Sequence, residues 1–231
     1  MTVDTPETLA TEGAAQAPRR SRGRPRKTAD ERDDGNRRRE LLTGAARLFR
    51  AQGFAGTSTR DIATAAGMRS GSPFYHFESK EALLAAVMLE GMQGALQRQN
   101  AALARLAPDA GLRERLRVLV RNHFDVLLGP DSDFIPVMLY EWRSLDATQR
   151  SEVNRLKDDY EAAWVPVLEA LHATRQLAGD PLLARLMIFG ALNWSVQWYA
   201  APSGRTARSR ARASLDELTT AALQLFLKEA A

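Results

Sequence analysis

No cysteine occurs among the 231 residues. That excludes a disulfide framework, thiolate metal ligation and thiol redox chemistry, and it suits a reducing cytoplasm, the expected location. Histidine is almost as scarce. His76, His123 and His172 stand far apart, with no H-x-x-x-H pair to seat zinc on one helix face, so neither metal nor cofactor is expected. The chain also lacks G-x-S-x-G, G-x-G-x-x-G and a P-loop, and Gly67-Met68-Arg69-Ser70-Gly71, the nearest approach, has the wrong spacing. An enzyme is the rival class, and nothing in these motifs supports it. Long apolar runs are missing too. The most apolar window, Leu182 to Ala201, is interrupted by Arg185, Asn193, Ser195 and Gln197, which reads as a buried helix and not as a membrane span. The first thirty residues hold no apolar segment of the kind a secretory signal needs.

What is present is unevenly placed. Residues 1–107 carry 17 Lys and Arg against 12 Asp and Glu, whereas residues 108–204 carry 10 against 13. The positive charge therefore sits on the N-terminal half, and local fields of this kind dominate attraction to DNA. Residues 1–35 are expected to form a disordered basic arm. Within it, Arg19 to Lys27 packs six cations into nine residues. Arg24-Pro25-Arg26 is similar to an AT-hook, with Arg24 and Arg26 lying in a narrow A·T-rich minor groove. The plainer alternative is a solvated tail with unspecific affinity for phosphate.

The stretch that organises the rest is Thr57 to Lys80. Ser58 and Asp61 have the spacing of a capping box, opening a helix whose core side is Ile62, Ala63 and Ala66. Gly67 follows where a tight turn between helices commonly needs positive φ. A second short helix is expected to begin near Ser70. Arg69, Ser70, Ser72, Tyr75 and His76 are the wrong residues for a core, while Phe74 and Phe77 supply inward anchors. This is the pattern of a helix-turn-helix whose second helix enters the major groove.

From about Arg37 to Met88 the chain resembles the DNA-binding domain of TetR-family transcriptional regulators. The likeness rests on Phe49-x-x-x-Gly53-Phe54, on T-S-T-R-D-I-A from Thr57 to Ala63, on the Ala66-Gly67 turn, and on Y-H-F-x-S-K-E-A-L from Tyr75 to Leu83. Many family members carry tyrosine where this chain has Phe74, and Tyr75 next door can take over a phosphate contact. The resemblance implies an all-α protein: a three-helix helix-turn-helix domain, residues 36–82, joined to a larger helical domain, residues 83–231, for effector binding and dimerisation. It implies a homodimer on a palindromic operator, released by a small hydrophobic effector. Thr59, Arg60, Arg69, Ser70, Ser72, Tyr75, His76 and Lys80 are the expected DNA contacts, with Lys80 on a phosphate.

The C-terminal half reads helical throughout: about 112–128, 135–145, a long helix over 148–174 kinked at Pro166, 181–200 and 210–228. Asp30 to Gly35 reads as a polar hinge before a helix over 37–52. Gly91 and Gly94 weaken the helix that joins the halves. Leu215, Leu218, Ala222 and Leu225 form a narrow 3-4-3 seam suited to a partner helix, and the helix before them is apolar almost all round. The last two helices are thus the expected dimer interface. Trp142, Tyr160, Trp164, Met187, Trp194 and Trp198 are the candidates for an effector cavity between helices, the plainer alternative being ordinary core packing. Leu192-Asn193-Trp194-x-x-x-Trp198-Tyr199, and the S-G-S-x-x-Y-H-F form of the recognition helix, resemble the part of the family that controls catabolism of acyl-CoA and steroid-derived compounds. An acyl-CoA thioester is the effector this implies, with Arg143, Arg155 or Arg185 as cations at the pocket mouth. The alternatives are a multidrug-type sensor of neutral or cationic hydrophobic compounds and an architectural DNA-binding protein with no effector.

Overall fold

Leu41, Leu42, Ala45, Ala46 and Phe49 recur at helical spacing, and all five are buried along one side of the first helix. The computed structural model describes residues 1–2, 29–67, 75–129, 132–199 and 213–228. Among them are nine α-helices and no strand beyond an isolated bridge between Leu177 and Leu227. They are α1 (Ala29–Gly56), α2 (Thr59–Ala65), α3 (Lys80–Ala104), α4 (Leu112–Leu128), α5 (Phe134–Glu141), α6 (Ala147–Ala162), α7 (Val165–Ala173), α8 (Pro181–Trp198) and α9 (Leu215–Phe226). A 3-10 turn, Trp142–Ser144, follows α5. No described helix is long and apolar enough to cross a membrane.

Two helices depart from their expected extents at the start. α1 is helical from Ala29, so the segment read as a polar hinge belongs to it. α9 begins only at Leu215, because Ser214 and Glu217 form a reciprocal capping box that the sequence reading overlooked. The long helix expected over 148–174 is two. α6 ends at Ala162, the residue whose carbonyl Pro166 would strip of its partner and crowd, and α7 restarts at Val165. The break is sharper than the predicted kink.

Two cores form. The first runs without interruption from Leu41, Phe49 and Ile62 through Leu84, Val87 and Met88 to Ile135, Val137 and Tyr160. The second gathers Leu116, Leu119, Trp164, Leu168, Ile188, Leu192 and Leu223. α3 belongs to the first core along most of its length, and its middle explains Gly91. A Cβ at this position would stand 2.8 Å from Phe134 Cβ, so the start of α5 crosses α3 at a distance only glycine permits. Gly94, one turn on, meets nothing nearer than an Arg98 guanidinium nitrogen at 3.8 Å. The two glycines do different things: Gly91 sets a crossing distance, and Gly94 does not.

Gly91→Ala is therefore expected to destabilise the protein by about 1–3 kcal/mol through overpacking against Phe134. Gly94→Ala should be neutral or stabilise by up to about 1 kcal/mol through helix propensity. Chemical denaturation of both variants checks the contrast, and equal effects would remove the crossing argument.

Candidate nucleic-acid interface and ligand cavity

The capping box opens α2 as the sequence predicts. Ser58 Oγ accepts from Asp61 N–H at 3.1 Å, and Asp61 Oδ2 accepts from Ser58 N–H at 3.0 Å. The Ser58 hydroxyl also donates to Asp61 Oδ2 at 2.6 Å, and this bond together with that from Ser58 N–H holds the Asp61 carboxyl below its ordinary range. Ile62 is fully buried against α1, and Gly67 leaves the helix with φ +69°. Met68 to Phe74, which include Arg69, Ser70 and Ser72, lie outside the described residues, as do Arg24 and Arg26. On either side of that gap, Thr59 is half-buried, Arg60 is exposed, and Tyr75 is 82% exposed with its ring set edge-on to His76. An aromatic ring that open to solvent contributes nothing to the core, whereas Phe77 two residues on is buried beneath the Arg38 guanidinium.

Lys80 has a second occupation that the sequence did not disclose. Its ammonium donates to the carbonyls of Phe54 at 2.9 Å and Thr57 at 3.0 Å, and it lies 4.2 Å above the Phe54 ring. It ties the first turn of α3 to the connection between α1 and α2. Two of its three donors are committed there, which leaves one.

The same connection is fastened to the C-terminal half. Gly53 takes φ +76° and turns the end of α1, and the next amide, Phe54 N–H, donates to Glu141 Oε1 at 3.0 Å. Arg50 donates to Ser132 O, Ser132 Oγ and Asp133 Oδ1 at 3.3, 3.2 and 2.9 Å. Glu141 is the last residue of α5 and Asp133 precedes its first, so both ends of this helix grip α1.

Ile135 and Met138, on the same short helix, wall a cavity of about 180 Å³. Met92 and Ala95 of α3, Val126 of α4 and Phe189 of α8 complete its apolar lining. Three polar side chains join them. His123 Nδ1 lies 3.0 Å from Tyr160 Oη, and His123 Nε2 lies 3.0 Å from Asn193 Oδ1. Burial pushes the imidazole down to about 4, so it is neutral at physiological pH, and burial pushes the Tyr160 phenol up. Near Leu186 the wall is charged: Glu161 Oε1 pairs with Lys157 at 3.2 Å and Oε2 with Arg185 at 2.9 Å.

Of the six residues expected to form the cavity, the structure brings Tyr160 to its wall. Trp164 is fully buried one layer behind, donating from Nε1 to Gln99 Oε1 at 2.9 Å and packing on Phe189 at 4.8 Å between centroids. Trp142 borders a surface groove along α6 with Arg150 and Arg155. Trp198 is half-buried at the end of α8 and is not in the lining, while Met187 and Trp194 are 66% and 64% exposed on the opposite face. Arg143 and Arg155 are exposed, and Arg185 is taken by Glu161. What the reading missed are His123 and Asn193. The signal was there: His123 falls at helical spacing with Leu116, Leu119 and Val120 on the buried side of α4, and Asn193 stands within the apolar run of α8. No cluster of His, Cys, Asp and Glu able to hold a metal occurs among the described residues.

Leu215, Leu218 and Ala222 of the predicted seam pack inward on the second core, and only Leu225, 74% exposed, faces out. The uncovered apolar face belongs chiefly to α8, with Leu182, Leu183, Leu186, Met187 and Trp194 between 56% and 66% exposed.

Comparison with known proteins matches residues 41–87 to the family described as bacterial regulatory proteins, tetR family, and residues 109–226 to the tetracyclin repressor-like C-terminal domain. The chain is 33% identical over 139 residues to the HTH-type transcriptional repressor KstR2 of Rhodococcus jostii (strain RHA1), covering 58% of this chain and 64% of that protein, a little under two thirds of its length. It is 25% identical over 159 residues to the fatty acid metabolism regulator protein of Bacillus subtilis (strain 168), covering 68% and 80%. Among solved structures, superantigen PfiT superposes with a TM-score of 0.66 at 36% identity, covering 84% of this chain and 97% of that one.

The buried imidazole makes a pH prediction. With its folded value near 4 and its free value 6.5, the unfolded chain binds the extra proton between these limits. The His123 contribution is therefore fully present above pH 6.5 and is lost as pH falls toward 4, by about 3 kcal/mol in all. Thermal melts of His123→Gln should show a shallower loss of stability across this window than the parent chain, and parallel profiles would refute it.

Proposed function

Because the chain belongs to the TetR family of bacterial regulatory proteins, we propose that it is a dimeric transcriptional repressor that binds a palindromic operator and is released by a small, mostly apolar effector. One observation carries this reading. α5 walls a mostly apolar cavity on one side and holds the helix-turn-helix connection on the other, through Glu141 on Phe54 N–H and Asp133 on Arg50. A ligand that displaced α5 would act on both contacts at once. It releases DNA only in so far as it binds the displaced arrangement more tightly than the DNA-bound one. The cavity is also what favours this reading over an architectural protein without an effector. A relative named as a regulator of fatty acid metabolism supports an acyl-CoA thioester as one effector class.

In this reading Thr59, Arg60, Tyr75, His76 and Lys80 face DNA together with Arg69, Ser70 and Ser72, and Arg24 and Arg26 add attraction from the arm. Lys80 has two duties, because its remaining donor is free to meet a phosphate while the other two hold the domain together. The apolar face of α8 is the subunit contact. Two recognition heads related by a two-fold axis then read the two half-sites.

Sequencing DNA selected by the purified protein tests the function directly, and enrichment of a palindrome is the expected result. Lys80→Met should lower the slope of affinity against salt by about one unit on every sequence. It should also destabilise the fold by about 1–3 kcal/mol as two carbonyls lose their donor. An unchanged salt slope with lowered stability would leave Lys80 the clamp alone.

The subunit contact is tested separately. Leu183→Glu combined with Met187→Glu should give a folded monomer by sedimentation, with operator affinity reduced at least tenfold. A dimer that survives both changes would move the interface elsewhere.

A further inference from the structure

The cavity wall holds a hydrogen-bond relay that is short of one partner. Tyr160, His123 and Asn193 are linked in series at 3.0 Å each. His123 is neutral, so one ring nitrogen donates and the other accepts. With Asn193 Oδ1 facing Nε2, the ring donates there, and Tyr160 O–H donates to Nδ1. Both N–H groups of the Asn193 amide are then unassigned. With the amide turned over, its NH2 donates to Nε2 and Nδ1 donates to Tyr160 Oη, whose phenol also meets the Asn122 side chain, and one amide N–H is unassigned. Either way Asn193 keeps at least one N–H at the cavity wall. No described group accepts it.

We propose that His123, Tyr160 and Asn193 read an uncharged hydrogen-bond acceptor on the effector, of the carbonyl type found in a ketone, lactone, ester or thioester, and that the cavity rejects a carboxylate at this point. The inference rests on the effector reading above and makes it more specific. Rejection follows from the charges. An ionised carboxyl beside the relay would meet a neutral imidazole and a neutral phenol, with no cation to offset its desolvation. Lys157 and Arg185, the nearby cations, are both committed to Glu161, whose own carboxylate stands in the wall. Size adds a second limit. An apolar cavity of about 150 Å³ takes one benzene ring, so about 180 Å³ takes a six-membered ring or a short branched chain. A larger effector enters with such a portion only.

Four probes of near-equal bulk separate the possibilities at neutral pH: cyclohexanone, methylcyclohexane, cyclohexanecarboxylate and benzene. Binding to the full chain is read by the shift in melting temperature over a millimolar titration. Cyclohexanone is expected to bind about fivefold more tightly than methylcyclohexane, as one neutral hydrogen bond contributes, and cyclohexanecarboxylate should give no shift. In Asn193→Leu the advantage of the ketone should vanish while the two hydrocarbons bind as before. Tyr160→Phe serves as the second variant, with the same expectation of diminished preference and an intact hydrocarbon response. Equal affinity for ketone and methylcyclohexane, or an advantage that survives Asn193→Leu, overturns the relay's role and leaves the cavity standing. Binding of the carboxylate as tight as the ketone overturns the rejection of charge. Failure of all four probes overturns the cavity as an effector site, and the inference with it.

Discussion

α5 has to lie in one place. Phe134 at its start presses on Gly91 with no room for a Cβ, which fixes the crossing with α3. Glu141 at its end satisfies the peptide N–H that the turn at Gly53 exposes. Between these points are only eight residues, about 12 Å of helix. Ile135 and Met138 on that span wall the cavity, and Val137 is buried in the core shared with α1 and α3. A helix this short and this constrained at both ends does not bend. It shifts as a body or stays, and a packed core favours such discrete alternatives over continuous deformation.

One line of linked polar side chains crosses the interior. Gln99 accepts from Trp164 Nε1 and donates to the Tyr160 carbonyl, and the Tyr160 phenol meets His123, which meets Asn193. These bonds join α3, α4, α6 and α8 across the space between the two cores. Trp164 illustrates why aromatic density is a poor guide to a binding site. Its indole is wholly consumed in fixing Gln99 and backing Phe189, so the ring supports the cavity without touching what enters it. In an apolar wall the few polar atoms decide orientation and selectivity, because each unmet one costs far more there than in water.

The legibility of this chain in its sequence followed the range of the interactions. Ser58 with Asp61 and the φ +69° at Gly67 are local, and residue types at short spacing announce them. Helix identity in the second half was legible for the same reason, through periodicity. What was not legible is which face of an all-round apolar helix turns inward. α8 offers Trp194 and Trp198 as readily as Phe189 and Asn193, and only the packing of α4 and α6 against it chooses the latter pair. Gly91 was misread because a glycine kept for a close crossing and one that merely weakens a helix are the same letter. Lys80 was half-read: its neighbourhood was right, but carbonyls 23 and 26 residues away are invisible to spacing rules.

The size of the α5 contacts bounds what any ligand would have to do. A hydrogen bond to an ionised side chain contributes about 1.5–3 kcal/mol when half-buried, and a partly exposed ion pair about 1 kcal/mol or less. Glu141 on Phe54 N–H is the first kind; Arg50 with Asp133, at 39% and 28% side-chain exposure, is the second. Breaking both costs about 2–4 kcal/mol, a factor of roughly thirty to a thousand in the equilibrium between held and released arrangements. A ligand in the cavity would need that much preference for the released form. Burying one six-membered ring, at roughly 25 cal/mol per Å² of apolar surface, gives a few kcal/mol in total. Only part of this differs between the two arrangements. An effector confined to the cavity is therefore at the lower edge of what release demands. One whose remaining length also engages the mouth, where Leu186 stands beside the charges of Lys157 and Glu161, has the larger differential on which release depends.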